Sequence, residues 1–174
     1  PDLADFAERG VKIYREAPGT PVSALTWGMA LATYPFFGKV AEIVGRLTAL
    51  QGECTSAEVH RRMAEIFGER EGTRRMTNMV LQSQASWGAI ERVDRGKRIV
   101  RPLPIELDAS PAAAWLAEAC VRYSGRSLSV ADIGSNPIIY PFSLRGSSSY
   151  LLSKCRSLEM LVDSAGNQVV GLAT

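Results

Sequence analysis

Histidine, paired cysteines, long apolar runs and charge of one sign are all scarce in this chain, and each shortage removes a class of function. His60 is the only histidine among 174 residues, so any histidine-dependent triad would have to be built around it. Cys54, six residues earlier, forms no recognised catalytic or metal-binding spacing with it, and His60 is expected to face solvent or to cap. Cys54, Cys120 and Cys155 are odd in number and widely separated. With no CxxC pair they speak against a disulfide framework and a zinc site, and for a reducing cytoplasm. No HExxH, GxSxG or GxGxxG pattern occurs, so no catalytic residue, metal or cofactor is assigned and a non-enzymatic protein is expected. The longest apolar run is far too short to span a bilayer, and no basic segment followed by an apolar one opens the chain. Neither a membrane partner nor export is expected. Pro1 in place of Met leads us to expect a trimmed start or an upstream segment.

Lys and Arg number 20 against 18 Asp and Glu. The net charge of +2 identifies no nucleic-acid binder, so the distribution of charge has to carry that argument. An apolar fraction of 46% with 22% charged residues argues against extended disorder. The length suits one large domain or two small ones.

What the chain does have is helical periodicity punctuated by turn signals. Leu3, Phe6, Ala7, Val11 and Tyr14 predict a helix over residues 3–14. A second, over 22–34, carries Leu25, Trp27, Met29 and Leu31 and stops at Pro35. Residues 36–50 bear a core-facing stripe of Phe36, Val40, Ile43, Val44, Leu47 and Leu50, ended by Gly52. Thr55 and Glu58 form a capping box for a helix whose buried stripe is Val59, Met63 and Ile66. A third helix runs through Met76, Met79, Val80 and Ser83 to Trp87. A hairpin follows, residues 90–93 and 98–101, around a turn in which Gly96 takes positive φ.

Beyond a linker at 102–111 the order recurs. A helix over 112–123 bears Trp115, Leu116, Ala119, Cys120 and Tyr123. Ser129 precedes Asp132 as Thr55 precedes Glu58, residues 147–154 suit a short helix, and 158–162 with 168–172 suit a hairpin. The pattern is helix, helix, helix, hairpin, twice. Pro137 and Pro141 weaken the second copy. Trp27, Trp87 and Trp115 are expected as core anchors.

Residues 37–101 resemble the winged helix-turn-helix superfamily in the order of elements and turn lengths, and 109–172 resemble a degraded second copy. The expected fold is mainly α (α+β), two winged-helix-like units of three helices plus a β-hairpin with an N-terminal helical extension. The expected domains are 1–36, 37–104 and 105–174. The resemblance implies that the third helix enters the major groove of double-stranded DNA while the hairpin wing touches phosphate. It points to Thr73, Arg74, Thr77, Asn78 and Gln82 on that helix, with Arg75 beside them, and to Arg92, Arg95, Lys97, Arg98 and Arg101 on the wing. Residues 74–101 hold seven basic side chains against Glu91 and Asp94. Arginine can bridge guanine, asparagine can pair with adenine, and loop cations neutralise phosphate.

The same residues also fit a solvated helix face and a soluble charged turn. In that case the resemblance implies a protein-protein adaptor whose tandem winged helices bind no DNA, as in chromosome-condensation accessory subunits. The second copy is a poor DNA reader, because Arg145, Lys154 and Arg156 stand beside Glu159 and Asp163. Met160, Leu161, Val162, Val169 and Val170 on its hairpin are expected mainly as core, with a subunit interface as the alternative. The N-terminal helices either pack across both copies or offer a protein partner or homodimer surface. Arg145, Gly146 and Ser147 to Ser149 read as a serine cap rather than an anion site.

Overall fold

The computed structural model describes residues 3–107, 110–144, 152 and 155–173. In chain order these form α1 (Leu3–Glu16), α2 (Val22–Thr33), α3 (Pro35–Leu47), β1 (Glu53–Thr55), α4 (Ser56–Phe67) and α5 (Glu71–Ser86). They continue with β2 (Glu91–Val93), β3 (Arg98–Val100), β4 (Ile105–Glu106), α6 (Pro111–Ser124) and β5 (Leu128–Ser129). The last elements are α7 (Val130–Gly134), a 3-10 turn at Pro137–Ile139, β6 (Phe142–Ser143), β7 (Leu158–Val162) and β8 (Gln168–Leu172). The fold is mixed α+β. The serine cap expected at Arg145 to Ser149 and the helix expected over 147–154 lie outside the described residues. Among the described residues no helix is long and apolar enough to cross a membrane.

Two compact units share the chain. One comprises Pro1–Pro35, Glu106–Asn136 and Phe142–Thr174, and the other Phe36–Ile105 and Pro137–Pro141. We call them the split unit and the central unit.

In the central unit, α4 starts where the capping box was expected. The Thr55 hydroxyl accepts the Glu58 N–H at 3.2 Å, and the Glu58 carboxylate accepts the Thr55 N–H at 2.8 Å. Val59 and Met63 are buried, but Ile66, in the final turn of α4, is half exposed rather than part of the core. Glu53 to Thr55 form a strand that periodicity did not reveal, because three residues gain their conformation only by pairing. Cys54 lies opposite Ile99, and Ile99 opposite Arg92, giving an antiparallel sheet of order β1-β3-β2. Burial, with Glu58 and Glu53 nearby, pushes the Cys54 thiol up to about 12.

The split unit repeats that plan. Leu128 lies opposite Val170, and Val170 opposite Met160, in a sheet of order β5-β8-β7. Ser129 caps α7 through the Asp132 N–H at 3.0 Å. In both units a short strand leading into a capped helix pairs with the second strand of the later hairpin. Of the five hairpin residues expected mainly as core, only Val170 is buried; Met160 and Val169 are half-buried, and the adjacent Leu161 and Val162 are both exposed, so this end of β7 leaves the core without the alternation of a two-faced strand.

Helices α1 and α2, expected as an extension ahead of the repeats, share a core with α6. Trp115 of α6 stacks on Phe6 of α1 with centroids 4.2 Å apart, and its indole N–H donates to the Phe6 carbonyl at 3.0 Å. Gly10 and Gly28 make room for that ring, since a Cβ at 10 would lie 2.9 Å from it and one at 28 closer still. Trp27 is also fully buried, whereas Trp87 is half-buried against Phe37.

One ionic cluster is buried in the split unit. The Glu118 carboxylate, wholly inaccessible, accepts two hydrogen bonds from the Arg9 guanidinium, at 2.6 and 2.9 Å. It also accepts one from Arg122 at 2.8 Å and one from the Ser157 hydroxyl at 2.5 Å. Burial pushes the carboxyl up, but these bonds outweigh it and hold Glu118 below its ordinary value.

Candidate functional site

Helix α5 buries the stripe Thr77, Leu81 and Gln84, spaced i, i+4, i+7. Two of the three are polar, and each has one partner within the unit, while the Gln84 amide nitrogen is buried with no partner among the described residues. The Thr77 hydroxyl donates to the Thr73 carbonyl at 2.8 Å, and the Gln84 side-chain oxygen accepts from the Tyr140 hydroxyl at 2.9 Å. Thr77, expected to touch DNA, is therefore enclosed and offers nothing to an outside partner. The apparent apolar pattern ran the other way: Met76 and Met79 are 47% and 62% exposed.

Arg74, Asn78 and Gln82 fall four residues apart on the exposed side of α5, with Arg75 next to them and Thr73 half-buried. Arg92 of β2 reaches this face. Its guanidinium donates from Nη2 to Asn78 Oδ1 at 3.0 Å and from Nη1 to Gln82 Oε1 at 3.3 Å. Gly96 permits the approach, because a Cβ there would sit 3.0 Å from Arg92 Nη2. His60 of α4 is half-buried nearby. Burial first, then the positive fields of Arg74 and Arg92, lower its pKa and favour the neutral imidazole.

The turn joining β2 and β3 is tight. Asp94, Arg95 and Gly96 hold φ of 52°, 57° and 81°, and the Gly96 N–H donates to the Val93 carbonyl at 3.0 Å. Ser56, the first residue of α4, anchors the turn by donating its N–H to the Lys97 carbonyl at 2.9 Å and its hydroxyl to the Gly96 carbonyl. Arg95 and Lys97 are exposed, and with Arg74 and Arg75 they make no ion pair among the described residues.

Two expected wing contacts are already committed. Arg98 pairs with Asp94 at 3.0 Å and Glu53 at 3.2 Å, which neutralises it locally. Arg101 donates to the Tyr140 carbonyl at 2.7 Å and lies over that ring at 5.4 Å, so it clamps Pro137–Pro141 within the central unit. Carboxylates also interrupt the cationic face. Glu65, Glu69 and Glu71 line a groove of about 630 Å³ along α4 and the start of α5, together with His60, Thr73 and Arg74.

The corresponding turn in the split unit carries no cation. Asp163 accepts the N–H groups of Ala165 and Asn167, each at 2.8 Å, and these bonds hold its carboxyl below the usual range. Among the described residues no three His, Cys, Asp or Glu side chains are placed to hold a metal ion. Sequence spacing missed the link from Arg92 to Asn78 and Gln82, because those partners sit 14 and 10 residues away across a turn. Compared with protein-family models, curated proteins and solved structures, the chain matches none.

Proposed function

We propose that the central unit is a winged helix-turn-helix module that binds double-stranded DNA without catalysis, with α5 as the groove-reading helix and the β2–β3 turn as the wing. The observation that carries this reading is the set Arg74, Arg75, Arg95 and Lys97. These four exposed cations have no ion-pair partner among the described residues and lie on the helix and turn that Arg92 ties together. The element order α3, β1, α4, α5, β2, β3 and the strand order β1-β3-β2 support the same reading. Three unbridged cysteines suit a reducing cytoplasm.

Fluorescence-anisotropy titration of a labelled duplex across a salt series tests it. Each phosphate contact contributes about 0.9 to the slope of log K against log salt. Arg74→Ala/Arg75→Ala and Arg95→Ala/Lys97→Ala are each expected to weaken binding and flatten the slope by up to ~2. Arg98→Ala is expected to change little, since its charge is met by Asp94 and Glu53. Salt-independent binding, or equal binding by wild type and both double variants, would sink the reading.

One observation favours an adaptor instead. Met76 and Met79 expose apolar surface on α5, as a protein-binding helix does. On that reading Met76→Ser/Met79→Ser abolishes a partner contact and leaves any duplex affinity unchanged.

A further inference from the structure

The face of α5 carrying Arg74, Asn78 and Gln82 has an unusual hydrogen-bonding character, and Arg92 is its cause. A guanidinium has donors and no acceptor. Bonded to it, Asn78 must turn Oδ1, and Gln82 must turn Oε1, toward β2. The NH2 group of each amide lies across the amide carbon from that oxygen, and both side chains are exposed. Arg74, one turn before Asn78, adds donors only. The stripe therefore offers an outside partner donors at three successive turns, while Arg92 holds each amide oxygen turned toward β2 with one of its two lone pairs engaged.

Base edges in the major groove distinguish such a face. Adenine presents one acceptor, N7, and one donor, N6, so an amide pairs with it bidentately only when its oxygen and NH2 are both available. Guanine presents two acceptors, N7 and O6. We propose that Arg92 is a specificity-determining positioning residue, which holds Asn78 and Gln82 as donors so that the α5 face selects guanine over adenine in duplex DNA. This rests on the reading that α5 meets duplex DNA.

Selection from a randomised duplex pool, followed by anisotropy on the recovered site, tests it. Wild-type protein is expected to enrich guanine at the positions that α5 covers. Replacing those guanines by 7-deazaguanine, which exchanges the N7 acceptor for C–H, is expected to weaken wild-type binding about tenfold and leave the phosphates untouched. Arg92→Ala releases both amide oxygens, so the variant is expected to admit adenine and to lose the guanine preference by a similar factor. Should Arg92→Ala unfold or release all DNA, Arg92→Lys, which keeps the charge but lacks the planar fork that holds both amides, takes its place and is expected to lose the guanine preference likewise. Enrichment of adenine, an unchanged preference in Arg92→Ala, or indifference to 7-deazaguanine would overturn the inference while leaving duplex binding in place. Failure of wild type to retain any duplex would overturn the underlying reading with it.

Discussion

Arg95 holds φ at 57° in the middle of the β2–β3 turn, a conformation that costs a side-chain-bearing residue about 1–2 kcal/mol. Asp94 tolerates the same region better because its short polar side chain bonds locally, and Gly96 incurs no steric cost there. Arginine gains nothing comparable, since Arg95 is exposed and makes no ion pair among the described residues. Backbone strain retained without a contact inside the fold is the kind that function explains. Arg95→Gly is accordingly expected to raise stability by about 1 kcal/mol, read as a higher urea midpoint at unchanged slope, while weakening duplex binding. A lower midpoint would mean that the fold itself uses this side chain.

At the scale of elements, two glycines in helices separate propensity from packing. Gly72 opens α5 with nothing within 4 Å of where its Cβ would stand, so Gly72→Ala is expected to stabilise by roughly 0.5 kcal/mol. Gly28 in α2 gains the same propensity on replacement by alanine, but the new methyl would collide with the Trp115 ring. That ring is buried and already stacked on Phe6, so it cannot swing away. Overpacking costs about 1–3 kcal/mol, and Gly28→Ala is expected to destabilise despite its better propensity. Thermal melts of the two variants should shift in opposite directions, and a shared upward shift would refute the wedge. The contrast also shows what sequence can carry. The capping box at Thr55 and Glu58, helices α1 to α6 and the two hairpins were legible because their signals are local. Strands β1 and β5 were not, being two or three residues long and dependent on partners about 40 residues away. Nor was the inward face of α5 legible, because Thr77 and Gln84 hide a core stripe behind polar side chains, the first bonded back to its own helix and the second to Tyr140. The basic candidates were found by charge, but their division into paired and unpaired cations depends on Glu53 and Tyr140, which only folding brings near, and on the turn that aims Asp94 at Arg98.

On the scale of the whole chain, the split unit has to gather three separate segments, and Glu118 is where they meet. Arg9 comes from α1, Glu118 and Arg122 from α6, and Ser157 from the residue before β7. A buried carboxylate with four donors is stable only while ionised. Removing its charge leaves two guanidiniums facing a neutral group, which costs about 3–5 kcal/mol when a buried pair is broken. The sign of the pH dependence follows from the lowered pKa of Glu118. Near and below its ordinary value of 4.5 the unfolded chain binds the proton more readily than the folded one. The stabilisation is therefore present above that value and lost as pH falls through the depressed folded value. Wild type is expected to lose stability as pH falls below about 4.5, the value in the unfolded chain. Glu118→Gln, about 3 kcal/mol weaker at neutral pH, is expected to follow a shallower course and approach wild type in acid. Urea unfolding at a series of pH values measures both curves. Parallel curves would show that Glu118 carries no special charge in the folded chain.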